Sequence, residues 1–268
     1  MLVKFLFPND KLSIQVHPDD HYAALHEQAK GGRGKTEMWH ILSATKGAEI
    51  LFGLKTGVQR DIFLRALAEN RVEELLEHVP VSAGETYFVS PGTQHAIGPG
   101  VVICEVQEYS DLTYRVYDFG RVDAAGKQRE LHVEKALAVT NFSGNRSSKL
   151  APLALHSPDA KKRLLAACKY FAAERWEVHK TTLIESDSEE FQIFVFLEGT
   201  GCFYDANCDF PFHPGEAWFL PANLPTILMH PHGHASALRV TVPDVQRLRC
   251  QLRNQGFEDQ AISRIVAS

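Results

Sequence analysis

The segment Gly84–His95 reads GETYFVSPGTQH, and a similar segment, GEAWFLPANLP, spans Gly215–Pro225. Each contains a Gly-Glu pair, then an aromatic run of strand character, then a turn that begins with proline. When the two segments are aligned on that proline, His95 is matched by Pro225, so the second copy keeps the scaffold and lacks the histidine. The repetition predicts a duplicated β-barrel with one functional and one degenerate site.

Short runs of strand character, bounded by glycine and proline turns, flank both segments along the 268-residue chain. They predict a mainly-β fold, with a barrel or sandwich in each half. Helical spacing over residues 59–78, and again from Asp244 onward, predicts a short helical insertion and a helical C-terminal tail. Residues 141–157 are rich in Ser, Asn, Pro and Ala, which is typical of a linker. We therefore expect two domains, 1–145 and 146–268.

The composition narrows the class of protein. A net charge of -5 gives no electrostatic basis for binding nucleic acid or an anionic membrane. The five cysteines form no C-x-x-C pair, which favours a reducing cytoplasm over a disulfide framework. No apolar run approaches the roughly 18 residues of a membrane span, and the opening MLVKFLF is too short for a secretory signal.

Polar residues of metal-ligand type occur at three places in the first half. In the run LSIQVHPDD, which begins at Leu12, polar and apolar residues alternate, so Gln15 and His17 share one strand face. The other two places are Glu37, which follows Lys35 by two residues, and His95. Two imidazoles and a carboxylate suit zinc or another divalent first-row ion. The residue types alone leave open that these are satisfied core or surface side chains.

Four motifs occur in the order QVHPDD, GKTEMW, SPGTQHAIG and EVQEYSDLTYRVYDFGR. Together they resemble the type I mannose-6-phosphate isomerases in their short bacterial form, which are zinc-dependent enzymes of the cupin superfamily. The resemblance covers nearly all of the first half by motif and the second half in architecture only. It implies two cupin-like (jelly-roll) β-barrels, the first catalytic and metal-binding and the second degenerate. It also implies interconversion of mannose 6-phosphate and fructose 6-phosphate through an enediol, with one zinc ion per chain.

Carried over motif by motif, the resemblance assigns a role to ten residues. The metal ligands would be Gln15, His17, Glu37 and His95; the catalytic residues Arg115, Lys35, Glu105 and Asp111; and the substrate-binding residues Ser13 and Lys4. The residues alone leave simpler readings open. Arg115 can form a surface ion pair with Asp111 or Asp118, Glu105 can be an ordinary outward strand residue, and Asp111 can simply open a turn. Trp39 and Trp218 are expected in the core.

Further expectations concern partners and alternatives. The partner is a small molecule, a hexose 6-phosphate, and the alternative function is a non-catalytic sugar-phosphate-binding cupin. The same ligand types also fit a non-haem iron oxygenase. Members of the family carry a longer N-terminal stretch, so part of the first domain is expected to be missing, and bare sheet edges would favour a homodimer.

The His-rich run HPHGH, His230 to His234, is interpreted as a solvated turn between strands.

Overall fold

A computed structural model describes residues 1–144, 149–185, 188–204 and 209–267 of the chain. It contains two compact units, Met1–Lys149 and Leu150–Ser268. The boundary expected between residues 145 and 146 lies outside the described residues. Strands dominate both units, which confirms the predicted mainly-β class. Along the described parts of the chain, no helix combines the length and apolar character that a bilayer crossing requires.

The first unit is built from two antiparallel sheets and three short helices. One sheet runs in the order β1-β8-β3-β6 and the other in the order β5-β4-β7-β2-β9. The strands are β1 (Leu2–Leu6), β2 (Ile14–Val16), β3 (Glu37–Ala44), β4 (Glu49–Leu54), β5 (Leu76–Pro80), β6 (Thr86–Val89), β7 (His95–Ile97), β8 (Val101–Gln107) and β9 (Tyr114–Tyr117). The helices are α1 (Asp20–His26), α2 (Arg60–Ala68) and α3 (Val133–Val139), with 3-10 turns at Gln28–Lys30 and Val72–Leu75.

Strand β2 has one face on an apolar core cluster of the first unit and the other face on the polar region between its two sheets. Ile14 and Val16 are fully buried in a core cluster that includes Phe63 of α2 and Leu137 of α3. Successive strand residues point to opposite faces, so Gln15 faces the other way. The apolar face therefore packs under the helices, and the polar face is directed toward the interior between the sheets, as the alternation predicts.

The second unit holds one large antiparallel sheet with the strand order β11-β12-β13-β18-β15-β16; β14 pairs with β18, and β17 with β15. The strands, with β10 at the unit boundary, are β10 (Lys149–Leu150), β11 (Leu153–Leu155), β12 (Ala160–Cys168), β13 (Phe171–Val178), β14 (Thr182–Ile184), β15 (Gln192–Tyr204), β16 (Asp209–Phe212), β17 (Ala217–Leu220) and β18 (Ile227–Thr241). The C-terminal tail forms α4 (Val245–Asn254) and α5 (Asp259–Ile265), as predicted.

The repeated Gly-Glu turn has the same hydrogen bonds in both units. Gly84 and Gly215 have φ angles of 87° and 86°, in the left-handed region that glycine tolerates best. The amide of Gly84 donates to the carbonyl of Ile41 at 2.8 Å, and the amide of Gly215 donates to that of Phe196 at 2.8 Å. In return, the amide of Ile41 donates to the carbonyl of Glu85, and the amide of Phe196 donates to the carbonyl of Glu216. This match makes β3 equivalent to β15, with Ile41 at the position of Phe196.

Three expectations about local structure need correction. The helical insertion is shorter than residues 59–78, because buried Leu76 leaves the helical conformation and starts β5 beside β4. The HPHGH run lies inside β18, where His230 pairs with Cys202 of β15, and so it forms no turn between strands. The expected linker contains β11, while its residues 145–148 lie outside the described residues. Helices α1 and α3 were not expected; at 7 residues each, they are too short for a periodic pattern.

Candidate functional site

Two histidines and a glutamate from three strands meet inside the first unit. His17 directly follows β2, Glu37 begins β3 and His95 begins β7; one ligand atom from each lies within 4.8 Å of the others. His17 Nε2 is 3.2 Å from Glu37 Oε1, and His95 Nε2 is 3.9 Å from Glu37 Oε2. All three side chains are buried. The register brings β2 beside β7, and Glu37 approaches from the opposing sheet.

The backbone orients both imidazoles toward the glutamate. The Nδ1 atom of His17 is 3.0 Å from the carbonyl oxygen of Leu112, and Nδ1 of His95 is 2.9 Å from that of Thr93. If each Nδ1 carries the proton and donates it, each Nε2 presents a lone pair to the cluster, the usual state of a metal-bound histidine. Among the described residues, His17 Nε2 has no hydrogen-bond partner, and Glu37 Oε1 has the Lys35 ammonium as its ion-pair partner at 2.7 Å. Buried acceptor atoms that converge in this way fit a divalent metal ion.

The electrostatics of the cluster favour the ligand forms of these side chains. Burial lowers the pKa of His17, and it lowers the pKa of His95 to about 3, so both imidazoles are neutral at pH 7. Burial opposes the ionisation of Glu37, but His17 and the Lys35 ammonium hold its pKa well below the usual range. The Lys35 Nζ atom lies 2.7 Å from Glu37 Oε1. An ionised carboxylate and neutral imidazoles are the forms that bind zinc.

Gln15 is in register with His95 and touches it. Its amide Nε2 lies 3.2 Å from His95 Nε2, so the amide N–H faces the imidazole lone pair. The two ends of a glutamine amide differ little in shape, and a half turn presents the oxygen at the same place. Gln15 is therefore positioned to offer an oxygen ligand beside the two histidines.

Trp39 connects the cluster to a second carboxylate. Its indole nitrogen lies 3.1 Å from Glu37 Oε2 and 3.1 Å from Glu105 Oε2. Burial, together with the charge of Glu37, raises the pKa of Glu105 to about 7. Trp39 is buried as expected, but its polar contact was missed. The signal was available in the sequence, because Trp39 follows Glu37 by two residues and so shares its strand face.

Lys4 of β1 lies on the opposite side of Glu105 from the ligands. Its Nζ atom donates to Gln107 Oε1 at 2.7 Å and is 3.8 Å from Glu105 and 3.7 Å from Asp111. Gln107 was missed by the sequence reasoning, although it is fully buried and in register with Glu37. The Asp111 side chain is 88% exposed and so lies at the rim of this group. The buried Ser13 precedes β2.

Arg115 is placed by strand register in the same row as Gln15 and His95. Its Nη1 donates to the carbonyl of Glu130 at 3.0 Å, and its buried Nε has no partner among the described residues. Burial is the main cause that lowers the pKa of Arg115, and the positive charge of Arg129 lowers it further. Asp118 instead pairs with Arg121 and Arg129. The simpler reading of Arg115, a surface ion pair with Asp111 or Asp118, is therefore not found among the described residues.

A duplicated antiparallel barrel with a histidine-carboxylate cluster inside one copy defines the cupin class. Comparison with known families agrees, because residues 160–241 match the family model for the mannose-6-phosphate isomerase cupin domain. The chain is 36% identical over 201 residues to mannose-6-phosphate isomerase of Streptococcus mutans, which covers 75% of this chain and 61% of the relative. It is 34% identical over 227 residues to mannose-6-phosphate isomerase ManA of Bacillus subtilis, covering 84% and 70%.

The chain therefore belongs to the mannose-6-phosphate isomerase family, a family of aldose–ketose isomerases. The crystal structure of the Bacillus subtilis enzyme superposes with a TM-score of 0.82 at 29% identity, covering 89% of this chain and 74% of that one. A zinc-bound mannose 6-phosphate isomerase shares the fold, with a TM-score of 0.67 at 17% identity over 88% and 77%. The chain spans 61% to 70% of the length of the two curated relatives.

Proposed function

We propose that this chain interconverts mannose 6-phosphate and fructose 6-phosphate with the help of one bound zinc ion. The observation that carries the proposal is the buried convergence of His17, Glu37 and His95 beside the ammonium of Lys35. In a member of this family, such a cluster supplies both a metal site and a cation for an anionic substrate. Curated relatives named as mannose-6-phosphate isomerases support the reaction.

His17, Glu37 and His95 would hold the zinc ion, with the amide oxygen of Gln15 as a further ligand. Their neutral imidazoles and ionised carboxylate are the forms that bind it. The name of the zinc-bound relative supports zinc over the other ions that accept this ligand set. When bound, such an ion polarises the substrate's oxygens and stabilises negative charge on them.

The isomerisation moves a proton between two adjacent carbons through an enediol, so it needs an acid-base group and a cation near the developing oxyanion. Glu105 suits the first role, because a carboxyl with a pKa of about 7 can both take and give a proton at neutral pH. Lys35 is a second candidate for proton transfer. Arg115, with an unpaired buried Nε, can offer donors to the charged oxygens.

The substrate's phosphate requires a cationic wall at a distance from the reacting carbons. Lys4 supplies a partly exposed ammonium that is already oriented by Gln107. Ser13 would add a hydroxyl donor, and Asp111 an acceptor at the rim for a sugar hydroxyl. We therefore assign the phosphate to Lys4 and the reacting carbons to the side of Lys35, with Glu105, 3.8 Å from Lys4, between the two.

The cellular setting follows from the thiols. The described cysteines, Cys104, Cys168, Cys202 and Cys250, form no disulfide, and Cys208 lies outside the described residues. Cysteines without disulfides are typical of a reducing compartment, which supports the cytoplasm as the place where the chain acts on its small-molecule substrate.

A coupled isomerase assay on the zinc-loaded chain tests the proposal. We expect turnover with mannose 6-phosphate, and we expect Arg115→Ala to lower kcat by about 100-fold, the usual loss when one donor to a developing oxyanion is removed. Arg71→Ala is the matched control, because Arg71 is exposed and, among the described residues, pairs only with nearby Glu69 and Glu74.

The outcomes separate the isomerase from its alternatives. Zinc bound stoichiometrically without any turnover would overturn the isomerase, and tight hexose 6-phosphate binding in that case would identify a binding protein. An equal loss of activity in Arg71→Ala and Arg115→Ala would remove the role assigned to Arg115.

A further inference from the structure

The second unit has a polar group at the place that corresponds to the metal cluster. Because Ile41 is equivalent to Phe196, the residues four positions earlier, Glu37 and Gln192, are equivalent too. Each begins its strand, β3 or β15, and each is buried. The metal ligand of the first barrel is therefore replaced by a neutral amide in the second.

The neighbouring charges are exchanged between the two barrels. In the first unit Trp39 is in register with Glu105, and Glu105 with Lys4. In the second unit Phe194, which corresponds to Trp39, is in register with Arg239, and Arg239 with Glu174.

The second barrel therefore has a cation where the first has Glu105, and a carboxylate where the first has Lys4. The exchange keeps one cation and one carboxylate, but the replacement of Glu37 by the neutral Gln192 removes a negative charge, so the interior favours a metal cation less and an anion more.

Glu174 and Gln192 already have partners. The Arg239 Nη1 atom donates to Glu174 Oε1 at 2.8 Å, and its Nε donates to Gln192 Oε1 at 2.7 Å. The other oxygen of Glu174 accepts the indole N–H of Trp176 at 2.6 Å. The carboxylate is thus neutralised within the protein, and no hydrogen bond from Nη2 of Arg239 to a described residue is present.

A second cation stands beside this network. The Lys162 Nζ atom lies 3.7 Å from the centre of the Trp176 ring, which is in register with it. It forms no ion pair with any residue in the described parts of the chain. Burial lowers its pKa, and this effect outweighs the charges of Glu174, Glu185 and Asp159, which raise it. Two cationic side chains therefore have donors that the described residues do not fill.

Both cations line a cavity of about 540 Å³ within the second unit. The inner walls include Glu174, Trp176 and Gln192 from the barrel, and Gln251 of α4 also lines the cavity. The remaining charged lining residues are the exposed Glu185, Asp244 and Arg247 and the half-buried Glu190, so the unpaired positive charge lies in the inner part of the cavity. This volume lies within the range of small-molecule sites, and amide, indole and hydroxyl groups on its walls suit a polar ligand.

We propose that the second barrel is a binding site for a small organic anion, whose phosphate or carboxylate group is held by Lys162 and Arg239. The site is distinct from the metal cluster, and it gives the barrel that lacks the metal ligands a ligand-binding role of its own. Phosphate and carboxylate share the same recognition chemistry, a negatively charged oxygen group between an ammonium and a guanidinium.

Isothermal titration calorimetry with three probes tests this site on the full chain: fructose 6-phosphate, citrate, and fructose as the uncharged control. The test variant is Lys162→Gln. The matched control is Lys161→Gln, one residue earlier on β12 and directed to the other face. Losing one charge-assisted hydrogen bond weakens binding by about 10-fold or more. Should Lys162→Gln not fold, Lys162→Met keeps the packing on Trp176 and serves in its place.

Fructose 6-phosphate also binds the proposed isomerase site in every chain, so the readout is a second binding event. A second event that is present in the native and Lys161→Gln chains, and at least about 10-fold weaker in Lys162→Gln, would support the proposal. A second event seen only with fructose 6-phosphate would identify a phosphate ligand, and one seen only with citrate a carboxylate ligand. The proposal is overturned when neither anion gives the second event, or when Lys162→Gln shows it unchanged. Isomerase activity is a separate readout, since neither lysine belongs to the metal cluster.

Discussion

Trp39 and Glu105 face each other in register across β3 and β8, and the indole nitrogen of Trp39 lies 3.1 Å from a carboxylate oxygen of Glu105. The same nitrogen is 3.1 Å from Glu37, so one N–H group connects a metal-type ligand with the carboxyl assigned to proton transfer. A side chain that packs like a core residue thereby positions two functional carboxylates.

Replacing Trp39 with phenylalanine removes this N–H group and part of the ring. Hydrogen bonds to charged groups contribute about 1.5–3 kcal/mol, and the smaller ring adds a cavity cost, so we expect Trp39→Phe to lower the free energy of unfolding by about 3 kcal/mol. Urea unfolding at pH 7 measures the change.

Trp218→Phe is the control for the loss of an indole. The Trp218 indole donates to Glu216, an exposed carboxylate, at 3.1 Å. We expect a loss below about 1 kcal/mol, because solvent replaces that hydrogen bond. Equal losses in the two variants would show that the buried position of Trp39 adds nothing.

Zinc binding should depend on His95 and not on the exposed His-rich run. We expect the native chain to bind one zinc ion and to unfold at a higher temperature when loaded. A metal at 1,000 times its Kd stabilises a fold by about 4 kcal/mol. His95→Ala should abolish stoichiometric binding, because it leaves two of the three clustered ligands.

His232→Ala is the control, because His232 is exposed in β18 and outside the His17 cluster. Metal content after dialysis, with thermal unfolding beside it, distinguishes the two variants. Retention of zinc by His95→Ala would contradict the cluster, and loss of zinc by His232→Ala would place a site on β18.

Asp118 gives a pH dependence that is independent of the metal. Burial acts to raise its pKa, but hydrogen bonds from Arg129 and Arg121 outweigh burial and hold it below the usual value. A carboxyl whose pKa is lowered on folding stabilises the fold above its unfolded pKa, and that contribution disappears as pH falls through the folded value.

We therefore expect Asp118→Asn to lose about 2 kcal/mol at pH 7, the contribution of charge-assisted bonds, and much less near pH 2–3. Urea unfolding at both pH values measures this difference. Asp123→Asn is the control, since the exposed Asp123 side chain accepts hydrogen bonds from the local backbone amides of Ala125 and Lys127. A loss for Asp118→Asn that is the same at both pH values would show that charge is not its cause.

The sequence predicted the strands and the duplication because both depend on local patterns. Alternation in β2 placed Gln15 and His17 on one face, and the repeated Gly-Glu turn matched in atomic detail. The missed features depend on long-range register. Gln107 is buried because β8 lies beside β3.

Long-range register also explains why the polar group inside the second unit was not predicted. The loss of a histidine at Pro225 indicated a degenerate barrel, and residue types gave no sign that Glu174 and Arg239 would meet inside it. They lie 65 positions apart and become neighbours only through the pairing of β13 with β18. Residues 59–78 were likewise predicted to be helical throughout, although β5 begins at Leu76. A buried leucine at this position fits a helical pattern and a strand pattern equally well.

Glu105 should produce a pH dependence of the opposite sign to that of Asp118. Burial and the charge of Glu37 raise its pKa to about 7. Between its unfolded value and about pH 7, the folded chain binds more protons at Glu105 than the unfolded chain, so its contribution to stability falls as pH rises through that window. Above pH 7 the charged, buried carboxylate opposes folding at full strength.

Glu105→Gln removes this titration and keeps an oxygen acceptor for the Trp39 indole. Without metal, and in the presence of a chelator, we expect the variant to gain stability relative to the native chain as pH rises from about 5 to about 8. His17 and His95 titrate in both chains, so the difference between the two curves isolates Glu105. A constant difference across this range would mean that Glu105 is ionised throughout, and a carboxylate in that state could not donate the proton that the proposed isomerisation requires.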